Sequence, residues 1–206
     1  MEKDIAVLGG SFNPIHMGHV MMGMTAARQF GFYRVTLMPN SVTYYKRHAT
    51  DTVSDEERLE MLHLTAGEYP VFDVSDMEVR RGGTTYTIDT VLELRKTYDK
   101  VYFIIGGDSL TWLGEWVRAD ELLAETTFLV AVRGEVGRRM AEGLIADLEK
   151  RFDKVDIRLL DMPETDISST DIRRRVRTGG SLVGLVPDSV REYIYAGGLY
   201  CRRGEE

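Results

Sequence analysis

Gly9-Gly10-Ser11-Phe12-Asn13-Pro14-Ile15-His16-Met17-Gly18-His19 is the stretch on which the fold turns. It directly follows Ile5–Leu8, a short apolar run that reads as a buried strand, and it opens a helical pattern running through about Phe30. Gly9 and Gly10 carry no Cβ, so backbone N–H groups there can come close to an anion. A helix N-terminus adds unsatisfied donors and the positive end of a dipole. His16 and His19 are three residues apart, which predicts one shared helical face, one turn deep. Two imidazoles beside such a terminus make a donor set suited to phosphate oxygens. Plainer readings compete. Gly-Gly alone is a common strand-to-helix turn. The histidines could pair on a metal, but no third ligand stands nearby and no Glu follows at zinc-protease spacing. Either could be a satisfied core histidine. Met21, Met24 and Ala27 read as core packing.

Outward from this segment, short apolar runs alternate with helical patterns. Val35–Pro39, Val71–Val74, Val101–Ile105, Phe128–Val132 and Val155–Leu159 read as strands. Glu56–Gly67, Tyr86–Tyr98 and about Arg138–Arg151 read as helices, and two short helices near Thr170–Arg177 and Asp188–Ala196 close the chain. Continuous apolar strands separated by helices predict an α/β fold, a doubly wound, Rossmann-like parallel sheet covered on both faces. Ligands of such sheets lie beyond the carboxyl ends of the strands, near a topological switch point. With no repeat, low-complexity tract or linker, residues 1–206 read as one domain.

Composition narrows the function. Hydrophobic residues are 43% and charged residues 29%, which suits a folded globule rather than a disordered chain. Asp and Glu (33) outnumber Lys and Arg (26), for a formal net charge of −7. That sign argues against coating nucleic acid or an anionic membrane, although a local basic cluster can still hold a small anion. The one cysteine, Cys201, forms no internal disulfide and no cysteine zinc site. No apolar run reaches the length of a membrane span. The polar start at Glu2-Lys3-Asp4 does not read as a signal peptide, so a reduced, cytoplasmic location is expected.

A second cluster, Ile167-Ser168-Ser169-Thr170-Asp171-Ile172-Arg173-Arg174-Arg175, follows the late strand. Ser168-x-x-Asp171 matches a capping box, so hydroxyls and arginines there could simply cap a solvated helix. The same groups at a helix N-terminus also form an anion site. Arg173 and Arg177 share a face while Arg174 and Arg175 point elsewhere, so Arg173 is the one assigned a ligand role.

The first cluster resembles the Gly-x-Phe-x-Pro-x-His-x-Gly-His signature of the nucleotidylyltransferase superfamily. Asn13 stands where that family often has Asp. The second cluster resembles the Ile-Ser-x-Thr-x-Ile-Arg signature of the same superfamily, and the two occur in the expected order. The resemblance implies that His16 and His19 stabilise a transferring α-phosphate. It implies that Ile167, Ser169, Thr170 and Arg173 grip the β- and γ-phosphates, and that Gly9, Gly10, Ser11 and Phe12 border the same ATP. The C-terminal helices, about 168–206, would complete that ATP site.

The middle of the chain is similar to nicotinate-nucleotide adenylyltransferases. Asn40 and Lys46 match that family, but Thr43, Tyr44 and Tyr45 stand where it usually has Pro-Pro-His. Lys46-Arg47-His48 alone reads equally well as a solvated basic loop. Thr84-Thr85-Tyr86-Thr87-Ile88-Asp89-Thr90 resembles the segment beside the nicotinate ring, while Thr87 or Asp89 could act only as a helix cap. Gly106-Gly107-Asp108-Ser109 resembles a Gly-x-Asp element, implying that Gly106 approaches the nucleotide and Asp108 meets a ribose hydroxyl or metal-bound water. An Asp N-cap is the alternative. Trp116 matches a tryptophan stacked on the pyridine ring, against an ordinary buried Trp. Arg133 matches an arginine near the adenine.

The resemblance therefore implies adenylyl transfer from ATP to nicotinate mononucleotide in NAD biosynthesis, with His16, His19, Lys46 and Arg173 as the catalytic set and Asn40, Thr84, Thr85 and Trp116 at the acceptor. Mg²⁺ is expected on the substrate phosphates, with no dedicated protein cage. Partners are the two nucleotides, with no nucleic acid and no membrane, and a homo-oligomer is left open. The alternatives are an enzyme acting on nicotinamide mononucleotide or pantetheine phosphate, and a nucleotide-binding regulator without activity.

Overall fold

Alternate residues of the first strand, β1 (Asp4–Gly10), enter different cores: Ala6 and Leu8 one, Val7 the other. A strand buried on both faces requires helices on both sides of the sheet. The computed structural model describes residues 3–41, 52–163 and 165–201, and supplies them. The chain continues through α1 (Met17–Phe30), β2 (Val35–Pro39), α2 (Asp55–Glu68), β3 (Phe72–Val74), α3 (Met77–Arg81), α4 (Thr87–Arg95) and β4 (Lys100–Gly106). Next come α5 (Gly107–Leu110), a single 3-10 turn (Leu113–Glu115), α6 (Ala119–Glu125), β5 (Thr127–Arg133) and α7 (Gly134–Arg151). The last elements are β6 (Asp156–Met162), α8 (Ser169–Arg177) and α9 (Asp188–Ala196).

The six strands are all parallel, in the order β3-β2-β1-β4-β5-β6. The order reverses between β1 and β4, which opens a crevice beyond their carboxyl ends, at Gly10 and Gly106. The doubly wound sheet expected from the sequence is the one found. One core joins α1, α2 and the C-terminal helices to the sheet through Leu8, Leu37, Ile104 and Leu129. The other joins the opposite face through Val7, Phe103, Ile105 and Val130. Ile172, Leu182, Val190 and Tyr200 share the first core with Phe12 and Ile15. Burial of these apolar side chains therefore brings the end of the chain back to its first signature.

Local chemistry sets the element ends. Gly31, in the left-handed region (φ 76), stops α1. Ser54 and Glu57 form a capping box on α2: Glu57 N–H donates to Ser54 Oγ (3.1 Å) and Ser54 N–H to Glu57 Oε2 (2.7 Å). Some expectations shift. The helix expected over Tyr86–Tyr98 is α4, Thr87–Arg95; Tyr86 stands at its N-cap and neither Thr87 nor Asp89 caps it. The helix expected from Arg138 begins at Gly134, directly after β5. β6 extends to Met162 because the ladder with β5 continues to Arg133↔Met162, regardless of the polar residues on this edge strand. Helices α3, α5 and α6, of five, four and seven residues, are too short to show a helical period.

Buried Glu78 of α3 and Thr90 of α4 close the base of the turn between their helices. Thr90 Oγ1 donates to Glu78 Oε1 at 2.6 Å, and Arg81 donates to Thr90 Oγ1. Among the described residues no helix is long and apolar enough to cross a membrane.

Candidate active site

A cleft of about 550 Å³ lies beyond the carboxyl ends of β1, β4 and β5. Gly9, Gly10, Ser11, His16, His19, Gly106, Asp108, Arg133, Ile167 and Ser169 all line it. Two sequence segments about 150 residues apart thus share one cavity.

The histidines owe their places to different local rules. His16 is not on the helix but at its N-cap, in extended conformation (φ −148, ψ 169); His19 sits in the first turn. Their rings nevertheless stack, with centroids 3.7 Å apart. His16 N–H donates to His19 Nδ1 at 3.2 Å, so Nδ1 of His19 is an acceptor and the ring proton resides on Nε2. Phe12, buried and at positive φ (43°), meets the His19 ring edge-on at 5.0 Å. Burial, with the Arg133 charge second, lowers the His16 pKa to about 4. Burial, with His16 second, drives that of His19 well below its usual value. Both are therefore neutral donors at pH 7. His16 Nδ1 is buried without a hydrogen-bond partner, an arrangement that favours an incoming polar group.

The second signature docks on the first through two carbonyls. Ser169 Oγ donates to Pro14 O at 2.8 Å, and Arg173 Nη1 donates to Asn13 O at 2.7 Å. Arg173 Nη2 reaches Thr170 Oγ1 at 3.4 Å. Arg173 and Thr170 thus stand behind the loop rather than on the cleft wall. The capping box is half formed: Asp171 N–H donates to Ser168 Oγ (3.2 Å), but the Asp171 carboxylate binds Arg175 Nε (2.6 Å) and Arg174. Those two arginines are so drawn away from the cleft, as their helical positions predicted.

The two cleft glycines of the first loop have different surroundings. A Cβ on Gly9 would meet the Phe103 ring at 2.7 Å, and one on Gly10 the Phe12 ring at 3.4 Å. The small size of Gly9 therefore serves packing against Phe103, whereas Gly10 stands at ordinary contact distance from Phe12, and at Gly106 the space is open and a ligand can approach the backbone. The first turn of α1 also offers fewer free amides than expected, since Met17 N–H donates to Leu185 O and His19 N–H to His16 O. Asp108 is not an N-cap; Gly106 holds that position of α5, and Asp108 lines the cleft.

The residues expected around the acceptor are not gathered on this wall. Thr84 is exposed and Thr85 Oγ1 is buried without a partner, in the turn between α3 and α4. Trp116 is half-buried and packs edge-on against Phe128 at 6.2 Å. Asn40 ties its N–H to Gly10 O at 2.9 Å, beside the first loop. Lys46, with Tyr44 and Tyr45, lies outside the described residues.

Two residues escaped the sequence analysis. A Cβ on Gly18 would lie 3.0 Å from the His16 ring, so this glycine makes room for the imidazole. Arg58, with no exposed surface, donates to Ser11 O, Asn40 O and Asp55 Oδ1, each at 2.6 Å. Gly18 lay inside a recognised signature, but Arg58 followed Asp55-Glu56-Glu57 and looked like any solvated helix charge.

A doubly wound sheet with two such loops at its switch point defines a nucleotidylyltransferase-type protein, and the model of the Cytidylyltransferase-like family matches residues 7–175. The chain is 35% identical over 200 residues to the "Probable nicotinate-nucleotide adenylyltransferase" of Lachnoclostridium phytofermentans, covering 96% of this chain and 99% of that protein. It is 37% identical over 196 residues to the protein of the same name from Caldicellulosiruptor saccharolyticus, covering 95% and 98%. The solved structure of Plasmodium falciparum nicotinic acid mononucleotide adenylyltransferase complexed with NaAD shares the fold, with a TM-score of 0.74 at 20% identity, covering 96% of this chain and 97% of that one. The chain belongs to the cytidylyltransferase-like family and, within it, to the nicotinate-nucleotide adenylyltransferases.

Proposed function

We propose that the protein transfers the adenylyl group of ATP to nicotinate mononucleotide, giving deamido-NAD and pyrophosphate, as a step of NAD synthesis in the cytoplasm. The observation that carries this reading is the docking of Ser169 and Arg173 on Pro14 and Asn13, which sets both signatures around one cleft with His16 and His19. In this reading 1–206 is a single domain whose C-terminal helices complete the ATP site.

The acceptor phosphate is ionised at neutral pH and is itself the nucleophile, so no general base is required. Catalysis reduces to in-line positioning and charge stabilisation. His19, with Nδ1 already accepting from His16 N–H, would donate from Nε2 to the α-phosphate oxygens. His16 would donate beside it. Because both rings are neutral and fixed in place, they need no reorganisation as charge builds. Arg173 spends its hydrogen bonds on a carbonyl and a hydroxyl, neither of which cancels its charge, so from behind the loop it would balance departing pyrophosphate through its field rather than by direct contact. Lys46 would share that role. Arg133, at the end of β5, would border the adenine.

Among the described residues no group of three His, Cys, Asp or Glu could hold a metal. Asp108, the one carboxylate among the described residues that line the cleft, fits Mg²⁺ held chiefly by phosphate oxygens and water, where the ion would neutralise phosphate charge.

The test is a pyrophosphate-release assay with ATP, Mg²⁺ and three acceptors: nicotinate mononucleotide, nicotinamide mononucleotide and pantetheine phosphate. Turnover is expected with the nicotinate acceptor, at a higher kcat/KM than with its amide. Silence with all three, or preference for pantetheine phosphate, rejects the assignment.

A further inference from the structure

Arg58 carries a pattern that the proposed reaction does not by itself explain. It rises from the first turn of α2 and is completely buried. Its Nη1 donates to Ser11 O, in the first signature loop. Its Nη2 donates to Asn40 O, just past the end of β2, and to the Asp55 carboxylate. All three distances are 2.6 Å, short even for charge-assisted bonds. Asp55 supplies the counter-charge that a buried guanidinium requires. Asn40 N–H donates in turn to Gly10 O, so a closed ring of bonds runs from Gly10 and Ser11 through Arg58 to Asn40.

Ser11 borders the nucleotide cleft, and Asn40 opens the segment assigned to the acceptor. The planar fork of arginine fixes the separation of two carbonyls in a way that a single ammonium cannot. The adjacent carbonyls of Asn13 and Pro14 are taken from the opposite side by Arg173 and Ser169. The carbonyls of Ser11, Asn13 and Pro14 are therefore held from both flanks of the loop.

We propose that Arg58 is a positioning residue: its fork sets the distance between the phosphate loop at Ser11 and the acceptor segment at Asn40. It touches neither substrate. Its role is to hold the attacking and transferred groups in register, so its loss lowers kcat rather than weakening either substrate. The kinetic arm rests on the proposed adenylyl transfer; the structural arm does not.

Two variants test it in the full-length protein, each assayed well below its Tm. Arg58→Lys keeps the charge beside Asp55 but breaks the fork. Asp55→Asn keeps both carbonyl bonds but loosens the guanidinium. A displacement of about 1 Å at a reacting centre costs about 10²-fold. Arg58→Lys is expected to lower kcat by that order while the KM values for ATP and nicotinate mononucleotide change less than about 5-fold. Asp55→Asn is expected to show a smaller loss with the same split. In the ligand-free protein, hydrogen exchange at residues 9–16 and 39–41 should quicken in both variants, with the strands unchanged. A kcat within about 3-fold of native in folded Arg58→Lys overturns the proposal, as does a loss carried by KM or exchange that loosens evenly everywhere. If Arg58→Lys fails to fold, the same outcomes in Asp55→Asn decide it. If the native protein releases no pyrophosphate, the adenylyl reading has failed, and local exchange alone decides the Arg58 brace.

Discussion

Acid should unfold this protein partly through its two buried, stacked histidines. His16 is 8% exposed and its pKa is pushed from 6.5 to about 4 by burial first and by Arg133 second. The folded state thus refuses a proton that the unfolded chain accepts below pH 6.5. Stability from the neutral ring is complete above that pH and is lost as pH falls toward 4. At 1.36 kcal/mol per unit, a shift from 6.5 to about 4 is worth about 3 kcal/mol in full, and about 2 kcal/mol of it is gone by pH 5. His19 is lowered too and acts in the same direction. The assay is denaturant unfolding of native protein and His16→Asn at pH 7 and pH 5. Groups away from the stacked pair, including Glu78 with its raised pKa, are common to both proteins and cancel in the difference, so the difference reports His16 together with its effect on His19. Native protein should lose about 2 kcal/mol more than the variant over this interval. Parallel losses, equal to within about 0.5 kcal/mol, would refute the account of a desolvated neutral His16.

Other perturbations separate the parts of the site. His19→Ala removes one preorganised donor and is expected to lower turnover about 10²–10³-fold while ATP still binds, as measured by kinetics and calorimetry. Gly18→Ala places a methyl 3.0 Å from the His16 ring, so it should fold yet lose most activity; near-native turnover would show that the ring can move freely. Ser169→Ala deletes the 2.8 Å bond to Pro14 O and should cost about 1 kcal/mol, with a raised KM for ATP as the kinetic sign. Thr90→Val leaves Glu78, whose pKa burial already raises, without its 2.6 Å donor. The expected loss is about 1–3 kcal/mol. Because a raised folded pKa makes the ionised form the costly one, the deficit should be larger at pH 8 than at pH 5, as unfolding curves at the two pH values would show.

The α/β alternation, the parallel sheet and both signature loops were legible in the sequence because they depend on local rules. An apolar run followed by glycines and a capped helix looks the same wherever it folds. Val35–Pro39 and Asp188–Ala196 were placed to the residue, and the longer strands to within a few residues. The short helices α3, α5 and α6 were missed because fewer than two or three turns leave no period to detect. Trp116 shows the limit in the other direction: the family match alone pointed to a ring stacked on substrate, and only the folded chain shows that the same ring, half-buried, also packs edge-on against Phe128.

Spacing along the chain thus settled which groups exist and which segments carry them: two imidazoles, a glycine pair, a hydroxyl-rich helix start and one arginine aimed away from its neighbours. Tertiary packing alone decided what each was for. It stacked His16 and His19 although only one lies on the helix, filled the space beside Gly9 with Phe103, and buried Arg58 beneath two loops. The physical reason is range. Caps and strand patterns are written within a few residues, whereas desolvation, ring contacts and buried carbonyl partners depend on atoms that only the folded chain brings together.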